Sequence, residues 1–151
     1  MALAPSRQVF QTNIKYALNE VTPRGRVVCL IPGTTTAGEV TALATPTGVA
    51  VKAVGILLDD VEDLNYDRHG EYRQRNVVDV GSNIGIATEA DLETDQISGS
   101  APVAGQDAYL GVGGTVTATQ ADDGLGNLAP RVGWFQSGVN ANGFVALHVD
   151  L

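Results

Sequence analysis

The residues able to do chemistry are few and scattered. The chain of 151 residues holds two histidines and one cysteine, whereas nucleophilic catalysis needs a nucleophile with a base beside it. His148 lies in "VALHVDL", where strand alternation sets it with Ala146 and Asp150, opposite Val145, Leu147 and Val149. It therefore reads as a face-exposed or interface histidine. His69 falls in an acidic stretch. Cys29 stands inside the apolar run "RVVCLI" and reads as a small buried hydrophobe, not a reactive thiol; as the only cysteine it forms no intrachain disulfide. The chain contains no nucleophile elbow, no zinc-protease histidine pair, no C-x-x-C and no P-loop pattern. Among 17 acidic residues nothing singles out a pair for glycoside hydrolysis.

The best metal candidate is the stretch 59–71, where Asp59, Asp60, Glu62, Asp63, Asp67 and Glu71 accompany Tyr66, His69 and Gly70. A calcium loop starting at Asp63 would have Asn65 and Asp67 in place. Its sixth position would be Arg68, where glycine is required, and its twelfth Gln74, where a bidentate glutamate is required. Arg68 and His69 would also compete for the carboxylates, so the stretch reads as a solvated charged loop. The glycines of "GVGGTVTATQADDGLGN" do not open a helix after a strand and so form no phosphate cradle. The expectation is a protein without metal or cofactor that is not an enzyme.

Charge narrows the partners. A net charge of −8, with nine Lys and Arg spread over the chain, argues against a nucleic-acid partner and fits solubility at high local concentration. The opening "MALAPSRQVFQTNIKY" lacks the basic and apolar regions of a signal peptide, and nowhere do 18 consecutive apolar residues occur. A soluble, unexported chain with no membrane partner is expected. A chain of this size folds as one domain, to roughly 7,300 Å² of surface from about 23,000 Å², without needing disulfides or metals.

The segments that must position these groups read as strands. Eighteen glycines, and an apolar fraction made mostly of Val, Ala, Leu and Ile with few aromatics, suit short strands joined by tight turns. Residues 1–12 show no period and read as an extended arm, leaving 13–151 as a single β domain. "NIKYAL" alternates, Pro23 and Gly25 make a turn, and "RVVCLI" is a continuous apolar run of the buried-strand kind that ends at Pro32 and Gly33. "TTTAGEVTALAT" reads as a hairpin around Ala37 and Gly38, and "GVAVKAVGILLDD", "EYRQRNVVDVG" and "NIGIAT" supply further strands. In "TEADLETD", Thr88 as an N-cap with Asp91 three residues on predicts one or two helical turns. Later come a strand, a Gly113-Gly114 turn and a second strand, then an Asp-Gly-rich loop over 122–127. "RVGWFQS" and "GFVALHV" form a closing hairpin around "GVNANG", whose asparagines and glycines predict positive φ. "AVGILLDDV" and "RVGWFQSGV" echo one another in Val-Gly followed by two large apolar residues. The fold class is all-β, a small β-barrel or β-sandwich with at most one short helix.

The closing segment "GQDAYLGVGGTVTATQADDGLGNLAPRVGWFQSGVNANGFVALHVDL" resembles that of tailed-bacteriophage capsid cement proteins, also called head decoration proteins. The family's Gly-to-Tyr strand falls on Gly105 and Tyr109 and its Thr-Val-Thr strand on Thr115, Val116 and Thr117. Its Arg/Lys-Val-Gly strand falls on Arg131, Val132 and Gly133, and its last strand on 143–149. "AVGILLDDVED" resembles the family's central strand, whereas 59–71 as a whole has no counterpart. The resemblance implies a non-enzymatic, β-tulip-like or small-barrel protein on the outer capsid surface of the virion, made in the host cytoplasm. It further implies the major capsid protein and sister copies as partners, the latter gathered as homotrimers at threefold positions. Val9, Phe10, Ile14 and Tyr16 would be apolar anchors of an N-terminal arm that adds a strand to a neighbour's sheet; equally, Ile14 and Tyr16 would start the barrel's own first strand. Another virion module, such as a tail or fibre-base component, and a carbohydrate-binding β-sandwich with Trp134 laid open remain alternatives.

Overall fold

The computed structural model describes residues 8–33, 38–42, 45–60, 77–78, 80–81 and 83–151. They form eleven strands: β1 (Gln8–Leu18), β2 (Thr22–Pro23), β3 (Val27–Leu30), β4 (Glu39–Thr41), β5 (Ala53–Asp60), β6 (Val77–Val78), β7 (Asn83–Thr94), β8 (Asp107–Leu110), β9 (Val116–Thr117), β10 (Arg131–Phe135) and β11 (Val145–Asp150). A single 3₁₀ turn (Val112–Gly114) links β8 to β9. The protein is all-β, as its composition predicts.

Five strands close into a barrel in the order β1-β4-β3-β5-β7, with β7 returning to β1. β1 runs antiparallel to β7 and meets β4 in parallel at Ala17↔Glu39 and Leu18↔Val40. The barrel interior receives Leu18, Val28, Val40, Leu57, Ile84 and Ile86, so all five strands contribute, and Tyr16 and Val54 pack at its margin. A second sheet grows from β7 through β11, β10 and β8 to β9.

The joint between the two is β7, twelve residues long. β1 occupies one edge of it, while the other is shared: β5 pairs along its first half, at Ile56↔Ala87 and Leu57↔Ile86, and β11 along its second, from Val145↔Thr94 to Asp150↔Glu89. The second sheet therefore folds back over the outside of the β3–β5 wall. Val27, Cys29, Ile56 and Leu58 from that wall share one core with Leu92, Leu110, Val132, Phe135, Leu147 and Val149. Val28 and Leu57, on the wall's other face, point into the barrel. A strand buried on both faces has no polar side to alternate with, and this is why "RVVCLI" and "AVGILL" are continuous apolar runs. The far edge of the second sheet is covered as well, since Val116 N–H donates to Gln96 O and Ser98 N–H to Val116 O, both at 2.9 Å.

Three local expectations change. Residues 88–94 are strand, not helix: Ala90, Leu92 and Thr94 are buried and Asp91 and Glu93 half-buried, a period-two pattern that overrides the capping signal of Thr88. The segment expected as an arm enters the sheet at Gln8, which pairs with Asp91, followed by Val9↔Ala90; residues 1–7 lie outside the described residues. In the closing turn only Gly143 has positive φ, at 84°. Asn140 acts through its side chain instead, its Oδ1 accepting from Asn142 N–H (2.9 Å) and Phe144 N–H (3.0 Å). The Gly113-Gly114 turn does use positive φ at both residues, 65° and 78°. Of the hairpin expected around Ala37 and Gly38, β4 is present and pairs with β3 at Cys29↔Thr41, while 34–37 lie outside the described residues. The acidic stretch reaches strand β5 through Asp60; its remainder, 61–71, also lies outside them.

Candidate functional site

The second sheet buries one face and turns the other outward, and a bulge in β10 decides what the outward face carries. Strict alternation would put Arg131 and Trp134 on opposite sides, because they are three residues apart. The register between β10 and β8 slips between Arg131 and Gly133, so Val132 and Gly133 together take one step of the strand. Val132 and Phe135 then both point into the core, and Arg131 and Trp134 both face out. Gly133 is required at this place: a Cβ on it would stand 1.8 Å from the carbonyl oxygen of His148. Gly55, its counterpart in the echoed "AVGILL", is also confined, though less tightly, with Ala87 O 2.7 Å from where a Cβ would be.

Across the outward face one row of residues lies in direct cross-strand register: Asp107 (β8), Trp134 (β10), His148 (β11) and Asp91 (β7), continuing to Gln8 (β1). Neighbours about 5 Å apart can interact across strands, and the four from Asp107 to Asp91 are joined in this way, Asp107 and Trp134 through Arg131. Arg131 Nε donates to Asp107 Oδ1 at 2.8 Å, and its guanidinium lies 5.9 Å from the centroid of the Trp134 ring. The Trp134 and His148 rings stack with centroids 3.8 Å apart. His148 Nδ1 donates to Asp91 Oδ1 at 2.7 Å, and Gln136 Nε2 donates to the same oxygen at 2.7 Å. Tyr109, paired with Arg131 in register, sits half-buried beside the row. Glu89, Glu93 and Asp150 flank it on β7 and β11. On β7, β8, β10 and β11 Arg131 is the only arginine or lysine, so this part of the face is acidic around an aromatic centre.

This arrangement supplies the orienting half of a proton relay, a histidine held by a carboxylate, but among the described residues no nucleophile hydrogen-bonds His148. Nor, among them, do three or more His, Cys, Asp or Glu converge as metal ligands would. Trp134 is half-buried and already stacked, unlike the open platform a sugar ring needs.

The arm residues singled out from the sequence, Cys29 and the 122–127 loop fall elsewhere. Val9 packs against the outer core and Tyr16 against the barrel core; the backbones of Phe10 and Ile14 belong to β1, and their side chains lie outside the described residues. Cys29 is fully buried, and burial pushes its thiol up to about 12, as its apolar setting predicts. The 122–127 loop closes on itself: the side-chain amide of Asn127, then the Leu125 N–H, hold the Asp123 carboxyl below its ordinary range. His148 was legible as an outward residue, but its partner Asp91 was hidden inside an expected helical turn. The signal for the bulge is Gly133 itself, a glycine inside a strand pattern.

No family model and no curated protein matches this chain. No helix among the described residues is long and apolar enough to cross a membrane.

Proposed function

We propose that the chain is a capsid cement protein, a non-enzymatic β-barrel protein that binds the outer surface of a mature tailed-phage head and stabilises it. It would contact the major capsid protein and gather as homotrimers at threefold positions. The observation carrying this reading is the contiguity of the segments that resemble the family. Residues 105–151 supply β8, β9, β10 and β11, neighbours in one sheet, and "AVGILLDD" is β5, whose Ile56 and Leu58 share a core with Val132, Phe135 and Leu147. The likeness thus follows one packed body and not scattered turns.

A cement protein acts by mass action: binding the expanded shell and not its dissociated subunits adds its binding free energy to the shell's stability, and many modest contacts on a fixed lattice sum to tight attachment. The test is to mix the purified chain with expanded and unexpanded shells assembled from the major capsid protein of the same genome, and to pellet them. Saturable binding to expanded shells alone, with a raised disassembly temperature, is expected. A chain that stays in the supernatant at saturating concentration sinks the reading.

A further inference from the structure

We infer that the outward face of the β8–β10–β11–β7 sheet is the surface that docks on the shell, and that it takes a lysine- and arginine-bearing segment of the shell subunit. This rests on the reading above. Composition supports docking: Trp134, Tyr109 and Arg131 gather at the centre of one face, the residue types in which binding energy concentrates. Trp134 is the chain's single tryptophan, and it is spent on this face while Phe135 beside it fills the core. The row is also held before any partner arrives, by Arg131 on Asp107, His148 on Trp134 and Asp91. Groups already fixed lose less entropy on binding.

Charge selects the occupant. Glu89, Asp91, Glu93, Asp107 and Asp150 surround the aromatic centre, with Arg131 as the only described Lys or Arg on these strands. A second copy presenting the same face would set like charges against each other. Among the lysine and arginine side chains described elsewhere, Arg24 is buried and Arg26 is engaged with Gln96 and Gly113, leaving Lys52 exposed. An acidic rim of this kind is answered by cations on the surface that it meets, which on the cement reading is the shell subunit.

The experiment measures binding of the full-length chain to expanded shells as wild type, as the double variant Glu93→Lys with Asp150→Lys, and as Lys52→Glu. Each variant's unfolding temperature is checked first. The double variant is expected to bind about tenfold more weakly with unchanged folding, Lys52→Glu to bind as wild type does, and wild-type binding to weaken with added salt. Wild type binding while the double variant binds equally or better overturns the docking face and leaves the cement reading standing. Wild type failing to bind at any salt overturns both.

Discussion

The barrel and the sheet folded over it are built from the same short strands, yet they use them differently. In the barrel wall, β3 and β5 bury both faces, Val28 and Leu57 inward and Cys29 and Ile56 outward against the second sheet. In the second sheet, β10 and β11 bury one face and leave Trp134 and His148 on the other. Where a strand is packed on both sides it acts as scaffold, since residues such as Val28, Cys29, Ile56 and Leu57 are committed to one core or the other. A strand packed on one side has a free face, and the docking proposal places its contact there.

The largest effect that would sharpen this contrast is expected at Phe135, which adjoins Trp134 in sequence but fills the core. Phe135→Ala should cost about 3–5 kcal/mol, measured by denaturant unfolding. The loss should appear in one transition for barrel and sheet together, because the core holding Phe135 also holds Cys29 and Ile56 of the barrel wall. Two separated transitions would show the halves to be independent and break the comparison.

Cys29 probes the shared wall through pH. An unfolded thiol ionises near pH 9, while the buried one keeps its proton to about 12. The contribution is therefore complete below pH 9 and lost as pH rises towards 12, on the order of 3–4 kcal/mol across that window. Cys29→Ala should lose less stability over the same alkaline range; equal slopes for both proteins would contradict burial as the cause. The native thiol should also resist modification by a disulfide reagent at pH 8.

Gly133 tests what shapes the free face. Gly133→Ala drives a methyl into the His148 carbonyl and should cost about 3 kcal/mol. Gly143→Ala, at φ 84° but in open space, should cost about 1 kcal/mol. Similar losses at the two sites would mean that backbone conformation, and not the closeness of β10 to β11, is what Gly133 relieves.

These residues also mark how far the sequence can be read. The double-sided wall was visible as unbroken apolar runs, and the outward position of His148 as alternation in "VALHVDL". Both are properties of single strands. Residues 88–94 misled because Thr88 and Asp91 satisfy a helix-cap pattern locally, and only the pairing of β7 with β11 and β1 selects strand. The row Asp107, Trp134, His148 and Asp91 was not legible at all, because it exists only through register between strands distant in the chain, adjusted by one bulge. β1 shows the same limit: "QVFQTN" has no period of its own, yet β7 gives it a partner edge.

The smallest stability effect is expected in the row itself, and there the comparison is most exposed to failure. The His148 and Asp91 side chains are 16% and 34% exposed, so water competes for their hydrogen bond, and pairs of this kind contribute from near zero to about 1 kcal/mol. Asp91→Asn keeps an oxygen to accept from His148 Nδ1 and removes only charge. His148→Gln removes the stack on Trp134 as well. A double-mutant cycle on these two should give a coupling below about 1 kcal/mol by denaturant unfolding, while each single variant weakens attachment to expanded shells. If instead either variant lowered stability as much as Phe135→Ala, the outward row would be part of what holds the sheet together, and its residues would be explained without any partner. A small change in stability joined to a large change in attachment is what a face held ready for contact requires, because its internal bonds orient side chains that the fold itself does not need.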